Sequence, residues 1–284
     1  MLGAVDRGVA QPIGREAEAD RRLRVAAAAR RAEQDRVLAQ LGSPRFAAPA
    51  PLPGLALDVW STTDDPSALT GSDLVSASRL PDGRVLLLMV DAIGSGLTAV
   101  RDAWQVMYAC RAHMAAGAAL AEMIGRCADI LACDGHEPRA TILGICLDPE
   151  TGHLQAASGG HPPPLLVHRD GTAAWVEAAG RGLGDPRPGS HSLAEAVLRS
   201  GDSLVLYSDG VVDGGQDVIA NLSALRSGAV ALRAQGISGV AHRIARSVGP
   251  SSLDGDATLV VARLGDAGPT RSGLDVLHQT SGAR

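Results

Sequence analysis

Val85-Leu86-Leu87-Leu88-Met89-Val90-Asp91-Ala92-Ile93-Gly94-Ser95-Gly96 is an apolar run that ends in an aspartate and a glycine-bearing turn. Val85 to Val90 is the longest hydrophobic run of the chain, strand-sized and too short to span a bilayer. It predicts a strand that delivers a carboxylate where the chain leaves the core. A second segment is built alike: Leu204 to Tyr207 leads through Ser208 to Asp209 and Gly210.

Working outward, β-like runs recur at Leu55 to Trp60, Thr141 to Leu147, Leu154 to Ala157, Leu165 to His168 and Leu259 to Ala262. Helical stretches interrupt them in pairs. Residues 97–114 and 117–132 form one pair; residues 217–247 form a second, broken by Gly228 and Gly236. Consecutive strands with paired helices, rather than strict strand-helix alternation, predict an α+β sandwich and argue against a doubly wound parallel sheet. No internal repeat is visible.

Before this region, residues 14–41 are rich in Ala, Arg and Glu, with Leu23, Ala27, Val37, Leu38 and Leu41 at helical spacing, and predict one helix. The Pro-rich stretch from Pro44 to Pro53 stops it, because proline removes a donor and restricts its predecessor. The expected organisation is a helix and linker over 1–48, a globular domain over 49–264, and a disordered tail over 265–284.

With 284 residues, 45% of them apolar, the chain can bury a large single core. Net charge is −5 and every basic side chain is arginine, so no basic field exists to hold nucleic acid or an anionic membrane. Cys110, Cys127, Cys133 and Cys146 form no CxxC pair, and His136 beside Cys133 makes no zinc spacing, which predicts buried free thiols. The start carries Asp6 and lacks an apolar segment, so a soluble, reducing, cytoplasmic setting is expected.

Four acidic segments flank predicted strands: Asp73 in Gly71-Ser72-Asp73, Asp91, Asp209, and Asp256 in Asp254-Gly255-Asp256-Ala257-Thr258. A lone Asp-Gly is an ordinary turn pair. Several carboxylates at one sheet edge, however, repel one another unless a hard divalent cation neutralises them. A two-metal site accounts for the set.

These segments, in this order, resemble the PPM family of metal-dependent Ser/Thr protein phosphatases, in its bacterial SpoIIE-type branch, over residues 50–263. Asp91 to Gly96 is similar to the family's Asp-x-x-Gly-x-Gly turn. Gly159-Gly160-His161-Pro162-Pro163-Pro164 resembles its Ala-Gly-His-Pro-Pro segment, and Tyr207-Ser208-Asp209-Gly210 its Ser/Thr-Asp-Gly motif. The resemblance implies an α-β-β-α sandwich of two antiparallel sheets flanked by helices. It also implies two Mg²⁺ or Mn²⁺ ions bridged by Asp91, with Asp73 and the Ala92 carbonyl on one and Asp209 plus an aspartate near residue 256 on the other. Asp91 and Asp209 then carry the catalysis. Such a site activates water between the cations and needs no protein nucleophile, in keeping with the lack of a Gly-x-Ser-x-Gly elbow. The implied partner is a phosphorylated bacterial regulator, such as an anti-sigma factor antagonist. The helix expected over 14–41, ahead of the domain, suits a free-standing enzyme or one that homodimerises through that helix.

Three positions depart from the family pattern. Gly255 stands where the last metal aspartate falls three residues before Thr258, leaving Asp254 or Asp256 to reach the ion; Ser72 replaces a glycine; and Leu74-Val75-Ser76 lacks the usual aromatic residues and second aspartate. An eroded metal site on a non-enzymatic binding module is therefore an alternative. A second alternative is a dinucleotide-binding oxidoreductase, since Gly94 to Ala99 fits Gly-x-Gly-x-x-Ala. Against it, Asp91 would face a pyrophosphate and no βαβ repeat follows. His161, followed by three prolines, is expected to end a strand with its ring bonded to backbone.

Overall fold

The computed structural model describes residues 46–47, 52, 54–62, 71–94, 96–133, 137–213, 217–249 and 256–265. The helix expected over 14–41, His136, Asp254, Gly255 and the tail beyond Gly265 lie outside the described residues.

In chain order the elements are β1 (Phe46–Ala47), β2 (Leu55–Thr62), β3 (Asp73–Arg79), β4 (Val85–Ala92), α1 (Gly96–Ala115), α2 (Leu120–Cys133), β5 (Ala140–Leu147), β6 (His153–Gly159) and β7 (Leu165–Val167). They continue with β8 (Ala173–Trp175), β9 (Ala179–Arg181), β10 (Gly189–Ser192), β11 (Ala194–Val197), β12 (Ser203–Tyr207), α3 (Val218–Leu232), α4 (Val240–Val248) and β13 (Ala257–Leu264). One sheet runs β1-β3-β4-β5-β6-β11, a second runs β2-β13-β12-β7-β8, and β9 and β10 form a separate ribbon. The pairings are antiparallel except β1 with β3, where Phe46 and Ala47, part of the expected linker, lie parallel to Val75 and Ser76.

Successive side chains of a strand point to opposite faces, and in the middle strands both faces are covered. On β4, Leu87 and Met89 join Leu143, Ile145, Leu204, Leu206 and Val260 in the core between the sheets. Leu86, Leu88 and Val90 turn the other way, onto Val106, Met107, Met123 and Ile124 of α1 and α2. On the far side Val205, Tyr207, Leu259 and Val261 meet Leu225 of α3 and Ile244 of α4. The layering is thus α-β-β-α, as expected, and it explains why Val85 to Val90 is apolar throughout rather than alternating. Each fully buried aliphatic side chain contributes about 1.5–3 kcal/mol.

The second helical pair shows which glycine interrupts it. The break falls between Leu232 and Val240, around Gly236, whereas Gly228 lies inside α3. A Cβ at Gly228 would come within 2.1 Å of Ser247 Oγ, so this glycine sets the close approach of α3 to α4 and ends no helix. The start of α4 is held from the neighbouring sheet, where buried Asp58 of β2 accepts hydrogen bonds from the backbone of Gly239 (3.1 Å) and Ala241 (2.7 Å). Cys110, Cys127 and Cys146 are buried free thiols; Cys133, contrary to expectation, is exposed at the end of α2. Among the described residues no helix is long and apolar enough to cross a membrane.

Candidate metal centre

The two sheets bring their chain ends together at one edge of the sandwich. In the first sheet Asp73, which opens β3, lies directly opposite Asp91 on β4. In the second, Tyr207 at the end of β12 pairs with Leu259 on β13, which sets Ser208 and Asp209 beside Asp256 and Thr258. Two serine-aspartate bridges then join the sheets. Ser208 Oγ donates to Asp73 Oδ2 (2.6 Å) while accepting from the Thr258 amide (2.9 Å). In the reverse sense, Asp256 Oδ2 accepts from the backbone N (2.6 Å) and the hydroxyl (2.9 Å) of Ser72.

Asp91 lies opposite Asp73 and close to Asp209, near enough for each carboxyl to act on its ionisation. Burial first, and then the charges of Asp73 and Asp209, push its pKa up to about 9. Asp73 is 3% exposed, and burial lifts it to about 7 against the lowering effect of the Ser208 and Thr258 hydroxyls, with Asp256 and Asp209 adding repulsion. Thr258 Oγ1 approaches Asp73 without closing a full hydrogen bond, and Asp73 Oδ1 is buried with no partner. Asp209 is exposed at the mouth, at the start of a short 3-10 turn. Ala92 is buried next to Asp91, its amide bonded to the Ser72 carbonyl (3.3 Å).

All the expected positions, Asp73, Asp91, Ala92, Asp209 and Asp256, therefore come together; Asp254 lies outside the described residues. Among the described residues no three Asp, Glu, His or Cys side chains already surround one ion position. The carboxylates meet pairwise instead, tied to serines and to one another. The donor set nevertheless fits hard divalent cations: it is all oxygen, one buried carboxylate oxygen lacks a partner, and the acids cannot all ionise together without a counter-charge.

Several contributing residues were not assigned roles from sequence. Ser208 and Thr258 were visible only as letters within motifs, and Ser72, a departure from the family pattern, turns out to hold Asp256. Asp213, whose pKa is raised by burial and by the charge of Asp209, adds a further acid that no motif signalled. His161 is buried in a turn closed by Ser158, whose Oγ donates to the His161 carbonyl (3.0 Å) and accepts from its amide (3.1 Å). Its ring also meets a side chain: Nδ1 lies 2.8 Å from Thr141 Oγ1, and Thr141 stands opposite Asp91 in the β4–β5 ladder. Burial lowers the imidazole pKa to about 4, and the nearby Tyr207 carbonyl offsets this only in part, so the ring is neutral.

This sandwich with acids at one edge is the fold of the PP2C, or PPM, phosphatases. The family model for stage II sporulation protein E (SpoIIE) matches residues 81–265, and the chain belongs to that family. Among solved structures, the RsbU and RsbW domains of a Mycobacterium tuberculosis protein match at 25% identity with a TM-score of 0.69, over 77% of this chain and 62% of that one. The PP2C phosphatase domain with a regulatory-domain fragment of the cell fate determinant SpoIIE from Bacillus subtilis matches at 17% identity and a TM-score of 0.63, over 74% and 64%. RsbX in complex with magnesium matches at 18% identity and a TM-score of 0.53, over 72% and 93%. The chain thus spans less than two thirds of the first two.

Proposed function

We propose that this chain is a metal-dependent protein serine/threonine phosphatase whose catalytic domain is residues 49–264, with a helix and linker before it and a tail after it. The observation that carries this reading is the meeting of four aspartates from four separate strand ends in a setting where burial and mutual repulsion call for cations. Asp91 would be shared by two Mg²⁺ or Mn²⁺ ions, with Asp73 and the Ala92 carbonyl on one side and Asp209 and Asp256 on the other. When bound, such ions acidify a water and neutralise phosphoryl oxygens.

The chain's own groups hold this set in place. Ser208 fixes one oxygen of Asp73 and leaves the other buried without a partner; Ser72 fixes Asp256; and exposed Asp209 leaves the mouth open to a phosphorylated side chain. The substrate is a phosphoserine or phosphothreonine on a bacterial regulatory protein, such as an anti-sigma factor antagonist, a reading supported by the RsbU, RsbW and RsbX names among the structural relatives. The segment over 14–41 is proposed as a dimerisation helix. Manganese-dependent phosphate release from a phosphoserine peptide, collapsing in Asp91→Asn, is the expected result; its absence in the wild type at saturating metal overturns the assignment.

One observation favours a second reading. Asp256 is committed to two donors on Ser72, so a cation there has to compete for its oxygens. If calorimetry finds no Mn²⁺ binding and no turnover, the chain is instead a binding module on the phosphatase fold.

A further inference from the structure

Outside the aspartate cluster lies a cavity of about 480 Å³, floored by Gly125 of α2 and walled by Arg181, Arg187, Pro188, Gly189 and His191 of the β9–β10 ribbon. Three locally unfavourable choices converge on it. Gly125 sits inside a helix, where glycine costs about 1 kcal/mol relative to alanine. The ribbon lies over it, with the Pro188 carbonyl 3.8 Å from where a Cβ would be, an ordinary contact distance. Arg187 has φ 58°, the one non-glycine residue with positive φ among the described residues. Such backbone strain costs about 1–3 kcal/mol and persists where the surroundings impose it. The β9–β10 register slips between Ser190 and Ser192, leaving His191 on a bulge of the kind that re-aims a side chain. Local rules broken together at one place mark a site under functional demand.

The charges are uncompensated as well. Among the described residues no carboxylate pairs with Arg181, Arg187 or His191; Arg181 donates only to the Pro186 carbonyl (3.2 Å). The ribbon is also tied to the aspartate centre. Leu183, two residues past Arg181, exchanges backbone hydrogen bonds with Ala140 (2.8 and 3.2 Å), and Ala140 pairs with Ala92 in the next strand.

We propose that this cavity is a docking site for an acidic segment, aspartate and glutamate carboxylates, of the phosphoprotein presented to the aspartate centre; in naming that partner it rests on the hydrolase reading. Two guanidinium forks and an imidazole match carboxylates by charge-assisted hydrogen bonds. A chain of net charge −5 with acids around its reaction centre repels an acidic partner, so a local cationic anchor on the ribbon tied to that centre supplies the attraction.

The test uses the full chain with Mn²⁺ and a short, unphosphorylated, fluorescein-labelled Asp/Glu peptide, with a Gly/Ser peptide as control, read by anisotropy. The acidic peptide is expected to bind with an affinity that falls as salt rises, and the control is expected not to bind. Arg187→Gly removes one fork while relieving the left-handed strain, so its folding is not at risk; it should weaken binding about fivefold, and Arg181→Ala with Arg187→Gly about twentyfold or more. For a phosphoserine peptide with an acidic flank, the double variant should raise KM about tenfold at unchanged kcat, with p-nitrophenyl phosphate turnover unaltered. Equal affinity of wild type and double variant for the acidic peptide overturns the proposal. So does complete competition by inorganic phosphate, which would make this a free-phosphate site, or a fall in p-nitrophenyl phosphate turnover parallel to the loss of binding. If the acidic peptide binds as expected but no phosphate is released by the wild type, the cavity stands and the hydrolase reading alone falls.

Discussion

Asp73→Asn should make the metal-free protein more stable as pH rises, because it removes a buried acid that folding forces to keep its proton. Asparagine retains the shape and can accept the Ser208 hydroxyl, so it imitates the neutral acid. Unfolded Asp73 ionises near its usual 3.8, whereas the folded carboxyl, raised mainly by burial, holds its proton to about 7. Between those values the native state binds more protons than the unfolded chain, so wild-type stability is full below the lower value and declines as pH climbs. At 3% exposure there is little solvent screening to discount, and the difference amounts to about 4 kcal/mol at most. In urea titrations with EDTA, the gap between variant and wild type should open from near zero at about pH 4 to several kcal/mol at about pH 8. Losing the Asp73 charge also eases ionisation of Asp91, an effect of the same sign. Mn²⁺ should then stabilise the wild type more than the variant. Parallel pH profiles for the two proteins in EDTA would refute the claim that Asp73 is held neutral by its surroundings.

Other consequences can be measured alongside. His161 is neutral in the fold to about 4, so stability is lost as pH falls from 6.5 towards that value; His161→Gln should flatten this acid limb while costing about 1–3 kcal/mol at neutral pH, read by thermal melts across pH. A Cβ at Gly210 would fall 2.2 Å from the Asp256 carbonyl, so Gly210→Ala should displace the start of β13 and lower Mn²⁺ affinity about tenfold or more, seen by calorimetry. Asp58→Ala strips two backbone donors at the head of α4 of their acceptor and should destabilise by about 2–4 kcal/mol, with faster amide exchange of Gly239 and Ala241.

The strands that make the middle of each sheet were legible because burial on both faces demands an uninterrupted apolar run, as in β4, β5 and β12. Strand β3 was not, since Asp73-Leu74-Val75-Ser76-Ala77-Ser78-Arg79 mixes small polar residues that only its neighbours show to be buried. The three- and four-residue strands β8 to β11 carry too few side chains for any periodicity to register, and with them the cationic ribbon went unseen. Gly228 illustrates the same limit: glycine in sequence signals a break, but here it serves a helix contact supplied from far along the chain.

What the sequence determined by itself was local. Apolar runs capped by Asp91 and Asp209, paired helices and ordered motifs defined the sandwich and its acids, since strand burial and turn chemistry are written in neighbouring residues. The tertiary structure alone decided how those acids are held. Ser208 reaching Asp73 across 135 positions, Ser72 gripping Asp256 across 184, and Pro188 lying over Gly125 are contacts between distant segments, fixed only when two sheets and a helix pack.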